Sequence, residues 1–170
     1  MSRADLNRVG RFFHNYINQV PQQELLVALR ELGDELYHLM QSIQKEKMDF
    51  AYAPGKWTLR EVFQHIIDTE RILGFRALSI ARKEPKPLPG FEENDYVMHS
   101  KAGQRSWDDM LKEYQVLRNS TILLFSSFDD EQLEYGGVAN NNPLYVRGLG
   151  FIIAGHCQHH TTIIRERYLS

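Results

Sequence analysis

The sequence predicts an all-α protein, a four-helix bundle within one domain spanning residues 1–170. Three observations predict it. Apolar residues recur at three- and four-residue steps in four separate stretches, the pattern of helices that bury one face. The prolines, Pro21, Pro54, Pro85, Pro87, Pro89 and Pro143, all fall between those stretches, where they do least harm. No two alternating apolar–polar runs read as paired strands. A chain of 170 residues suits one domain with a substantial core.

Residues 1–20 carry Leu6, Val9, Phe12, Phe13, Tyr16 and Ile17, and are expected to form a short helix or a packed arm. The first long helix is predicted over Gln22–Gln44, where Leu25, Leu29, Leu32, Leu36, Met40 and Ile43 make an apolar stripe. The second opens at a capping box, Thr58-Leu-Arg-Glu61, with Trp57 placed to staple onto its first turn, and runs to Arg82. The segment Lys83–Arg105 reads as a long, proline-rich loop, of the kind that often serves function. The third helix is predicted from Trp107 to Ser126 behind a cap at Ser106, and Asp129 to Gln132 can cap a short turn. The run GGVANNNPLYVRG reads as a loop, and the last helix is predicted over Tyr145–Tyr168.

Composition excludes some classes of function. The net charge is −2, from 20 basic and 22 acidic residues, and no Lys/Arg block reaches five, so nucleic-acid binding is not expected. No apolar run approaches the roughly 20 residues of a membrane span. Met1 to Val20 has no apolar leader core, and Cys157 is the one cysteine, so a cytoplasmic protein is expected.

The chemistry concentrates in GHCQHH, residues 155–160, which holds three of the seven histidines. On a helix His156 and His160 lie one turn apart on one face and can meet one metal from the same side. His159 stands about 100° away from His160 and can pair with His156 instead, so spacing leaves both partners open. A third ligand must come from elsewhere. The candidate is His65, in FQHIIDTE on the second helix. Against this, paired helical histidines are usually solvated or packed, and a lone histidine such as His65 is usually a satisfied core residue. Cys157 reads as a small buried filler.

The run PGKWTLREVFQHIIDTERILGFRALSIARKEPKPLPGFEENDYV, together with FIIAGHCQHHTTIIRERY, resembles the DinB-like superfamily of DinB/YfiT-like metalloenzymes. The resemblance rests on Trp57–Thr58, His65, Glu70–Ala77, Gly90–Tyr96 and Gly155–His160. It implies a four-helix bundle, a homodimer, and a metal held by His65, His156 and His160. Family members of known activity are mostly transferases of low-molecular-weight thiols.

The resemblance therefore carries an expectation of a divalent ion, Zn or Ni, that activates a small thiol against a small electrophile. The alternatives are a metal-dependent hydrolase or a non-catalytic metal-binding, stress-response dimer. The glutamate of a zinc-protease HExxH is absent, since Cys157, Gln158 and His159 stand between the two histidines, and this favours thiol activation. No catalytic residue beyond the metal site is identified. Asp68, Tyr96 and His159 are expected around the site. Glu70 and Arg71 are read as salt-bridging residues. Arg76 and Arg147 are read as solvated unless an anionic cofactor meets them.

Overall fold

The computed structural model describes residues 3–170. The N-terminal arm holds 3₁₀ turns at Leu6–Arg8 and Arg11–Phe13, then α1 (His14–Asn18). It is both short helix and packed arm, with Phe13, Ile17 and Val20 buried. Next come α2 (Leu25–Gln41), a single turn α3 (Lys45–Met48) and α4 (Leu59–Ala81). They are followed by α5 (Glu93–Ser100), α6 (Trp107–Ser126) and a single turn α7 (Asp130–Leu133). A hairpin of β1 (Gly136–Ala139) and β2 (Asn142–Tyr145) leads into α8 (Val146–Ile163), which ends in a π-helical turn at Ile164–Tyr168.

The long helices α2, α4, α6 and α8 form a four-helix bundle. Each packs on two others, in the ring order α2–α8–α4–α6. Helices α2 and α4 therefore face each other across a diagonal, as do α6 and α8. The long connections 42–58 and 127–145 permit this, where short loops would make sequential helices neighbours.

The capping box at α4 is formed as predicted. Thr58 Oγ1 accepts from the Glu61 amide at 3.2 Å, and the Glu61 carboxylate accepts from the Thr58 amide at 2.8 Å. Such a cap stabilises a helix by about 1 kcal/mol. Two apolar clusters fill the bundle. Between them lies a buried ion pair: the Arg118 guanidinium forks onto Glu70 at 2.9 and 2.8 Å and also donates to the Leu29 carbonyl at 2.8 Å. Thr121 donates to the same carboxylate at 2.8 Å.

Two expectations are corrected. GGVANNNPLY is a two-stranded hairpin, not a loop, with Gly136 opposite Tyr145 and Ala139 opposite Asn142. Asn140 and Asn141 turn it with φ of 48° and 58°, the left-handed pair that a tight hairpin requires and asparagine tolerates. The segment Lys83–Arg105 is only partly a loop. It contains α5, which shows no apolar stripe because Val97 is its one buried residue. Leu88 pairs with the hairpin, donating to Val138 O at 2.9 Å and accepting from the Asn140 amide at 3.0 Å. No helix among the described residues is long and apolar enough to cross a membrane.

Candidate metal centre

Helix α8 is buried along almost its whole length, and small residues let its neighbours close in. Gly155 is the tightest case. A Cβ there would lie 2.0 Å from the Tyr16 carbonyl oxygen, so α1 rests directly on the α8 backbone. That contact seats the Tyr16 ring edge-on to His156 and His159, at 5.5 and 5.3 Å between centroids.

One turn of α8 separates His156 from His160, and His65 reaches them from the neighbouring α4. His156 Nε2 lies 3.0 Å from His65 Nε2 and 3.1 Å from His160 Nε2. One nitrogen from each of the three lies within 4.8 Å of the others. All three side chains are buried. Trp57 covers the outer side of His65, 4.9 Å away between ring centroids. Thr69 Oγ1 stands 3.4 Å from His65 Nδ1. His160 Nδ1 is buried without a hydrogen-bond partner among the described residues.

Burial favours the uncharged imidazole at every member of the cluster. It pushes the His65 pKa down to about 4. His156 and His160 are held well below the ordinary value, first by burial, then by neighbouring imidazoles: His160 and His65 for His156, His65 and His159 for His160. Neutral imidazoles are the metal-binding form. Hydrogen bonding alone cannot satisfy this arrangement. The single His156 Nε2 faces two other ring nitrogens, yet it offers either one proton or one lone pair. An ion between the rings satisfies all three at once. Donors about 2.0–2.1 Å from such an ion are about 2.9–3.4 Å apart in octahedral or tetrahedral geometry. The separations of 3.0 and 3.1 Å fall within that range.

A cavity lies on each side of the cluster. One, of about 380 Å³, is walled by His65 and His156 together with Tyr16, Arg76, Glu92 and Glu93. The other, of about 250 Å³, is walled by His160, Trp57, Asn94 and Tyr168. Burial, and after it Glu93, raise the Tyr16 pKa, so its phenol stays protonated at neutral pH.

The structure thus brings His65, His156 and His160 together, with His160 as the α8 histidine beside His156. His159 stays outside the cluster, against Tyr16, with Gln19 3.4 Å from its Nδ1. Asp68 does not reach His65. Its carboxylate accepts from Gln64 at 2.9 Å and lines a separate surface cavity with Tyr96. Tyr96 is half exposed and packs on Phe91 at 5.1 Å, away from the histidines. Glu70 and Arg71 form salt bridges, with Arg118 and Glu113. Arg76 and Arg147 are not solvated: both are buried, and Arg147 pairs with Glu134 at 2.6 Å. Tyr16 and Thr69 were not singled out by the sequence. For Thr69 the signal was available, since it follows His65 by one helical turn.

Residues 28–164 match the DinB superfamily. A protein of Geobacillus thermodenitrificans named "Putative metal-dependent hydrolase" is 26% identical over 147 residues, 84% of this chain and 81% of that one. A Bacillus mycoides protein, also named as a putative metal-dependent hydrolase, is 23% identical over 168 residues, 94% of each chain. Among solved structures, "YfiT from Bacillus subtilis is a probable metal-dependent hydrolase with an unusual four-helix bundle topology" superposes with a TM-score of 0.73. That match has 18% identity and covers 84% of this chain and 82% of the other.

Proposed function

This chain belongs to the DinB superfamily, and we propose that it is a metal-dependent hydrolase of a small molecule, with His65, His156 and His160 as the metal ligands. The observation that carries the reading is the convergence of three buried, neutral Nε2 atoms beside a cavity that His65 and His156 wall. Three protein ligands leave a coordination position open, the arrangement of catalytic rather than structural sites. A divalent ion, Zn or Ni, supplies Lewis acidity when bound and makes water acidic near neutral pH. No glutamate is then needed between His156 and His160. Around that point the protein's own groups do the remaining work. Leu73, Phe13 and Ile152 wall the cavity against water. The Tyr16 hydroxyl keeps its proton and serves as a donor to developing negative charge on a substrate oxygen. Glu92 and Glu93 are the carboxylates in the cavity wall and the groups placed to take a proton.

The names of the relatives favour hydrolysis over the thiol transfer expected from the sequence. Thiol activation is the second reading, favoured by the absence of any carboxylate between the two α8 histidines. Metal analysis of untagged protein by mass spectrometry comes first, beside His65→Ala and His156→Ala. About one ion per chain in wild type, lost in both variants, supports the site; unchanged metal in the variants refutes it. Ester and amide substrates offered with and without a low-molecular-weight thiol then separate the two readings. Hydrolysis independent of thiol supports the first, and turnover only with thiol supports the second. A homodimer belongs to the same reading, and light scattering tests it.

A further inference from the structure

The cavity beside the histidines holds a second group that the metal site leaves without a task. His65, Thr69, Leu73 and Arg76 follow one another along one face of α4 at helical spacing, and all four wall the cavity. Arg76 stands three turns beyond His65, about 16 Å along the axis. It is 4% exposed. One N–H donates to the Pro89 carbonyl at 2.8 Å, and the guanidinium carbon lies 5.9 Å from the centre of the Phe91 ring. No ion pair to Arg76 is formed among the described residues.

This sets Arg76 apart from the other buried arginines. Arg60 has Asp49, Arg118 has Glu70, and Arg147 has Glu134. A guanidinium carries five N–H donors and a charge that is costly to bury without a counter-ion. Burial lowers the pKa of Arg76, and no carboxylate offsets it. Glu92 and Glu93 wall the same cavity without pairing with it.

We infer that Arg76 receives a carboxylate of the substrate at the end of the cavity away from the histidines. The planar fork of arginine matches a carboxylate through two parallel hydrogen bonds. Glu92 and Glu93 disfavour a second negative charge in the same space, which selects a singly charged carboxylate over a phosphate. A cavity of about 380 Å³ admits a small molecule. The three-turn separation makes that molecule elongated, with its reacting group at one end and its acid at the other. The position of the reacting end rests on the metal-site reading above; the acid end does not.

The test is calorimetric titration of zinc-loaded protein with monohydroxamates of linear dicarboxylic acids of increasing length, each beside its neutral terminal amide. The hydroxamate addresses the metal and the far group addresses Arg76. At the best length the acid binds roughly ten- to a hundredfold more tightly than the amide. Arg76→Gln abolishes that preference and leaves the amide's affinity unchanged, while Arg76→Lys retains part of it. Equal binding of acid and amide by wild type at every length overturns the inference, whether or not the variants fold. Tighter binding of a terminal phosphate than of the acid also overturns it. If zinc does not bind, the metal reading falls, and octanoate against octanamide on metal-free protein decides the Arg76 inference alone: preference for octanoate, lost in Arg76→Gln, upholds it, and equal binding ends it.

Discussion

Replacing Gly155 by alanine adds one methyl group at the point where the N-terminal arm meets α8. The new Cβ would stand 2.0 Å from the Tyr16 carbonyl oxygen and 2.4 Å from its carbon, where ordinary contact begins at 3.4 Å. The two backbones must therefore separate by more than an ångström, and neither atom can swing away as a side-chain tip would. Overpacking in a tight core costs about 1–3 kcal/mol, and a clash with backbone belongs at the top of that range. The alternative is for α1 to lift off, exposing Phe13 and Ile17, at about 1.5–3 kcal/mol for each side chain. The cheaper of the two routes gives a loss of about 3 kcal/mol, or about 6–12 °C of melting temperature for a chain of this size. Gly74→Ala is the control. It lies inside α4 with no atom within 4 Å of its new Cβ, so it stabilises by about 0.5–1 kcal/mol. Thermal melts of the two variants, followed by circular dichroism, give the comparison. A Gly155→Ala protein that melts with wild type, or above it, refutes the close approach and the placement of Tyr16 over His156.

Acidification destabilises the metal-free protein between about pH 6.5 and 4. Within that window the unfolded chain takes up protons that the buried imidazoles refuse, and His65, with its pKa pushed down to about 4, alone accounts for about 3 kcal/mol by the acid end. Urea melts across pH measure the slope, which flattens in His65→Ala if the reasoning holds. Glu70→Gln leaves the Arg118 guanidinium buried without its counter-ion, and chemical denaturation should record a loss of about 3–5 kcal/mol. Thr58→Ala removes the cap of α4 and costs about 1 kcal/mol by the same measurement. Asn141→Gly relaxes a φ of 58° in the hairpin turn and raises the melting temperature slightly.

Much of this was legible in the sequence, for identifiable reasons. Helices α4 and α6 announced themselves by a cap followed by an apolar stripe, and α6 begins and ends where predicted. Helix α5 could not be seen, because a helix with only Val97 buried carries no periodic signal. The hairpin was visible in principle: two asparagines in a row between short apolar strands are turn chemistry, overlooked because each strand spans only four residues. At the site, helical spacing placed His156 and His160 on one face, but left His159 open. Choosing His65 as the third member depends on α4 and α8 being neighbours, which is a property of the bundle's ring order. The same holds for Arg76. Whether an arginine on a helix faces water or a cavity is decided by what packs around it.

The diagonal placement of α2 against α4, and of α6 against α8, also bears on how fast the chain acquires its shape. In an up-and-down bundle each helix finds its partner across a short turn, and such proteins fold in microseconds to milliseconds. Here α2 must reach past the whole of α4 to meet α6 and α8, and the seam between α4 and α8 joins residues 65 and 156. Of the four seams between long helices, one, α4 with α6, joins long helices consecutive in the chain. Loop closure must come before most of the packing that rewards it. For all its helix content, the protein should fold more slowly than an up-and-down bundle of its size, toward the intermediate range of mixed α/β domains, because the seam that closes its histidine cluster joins residues distant in the chain.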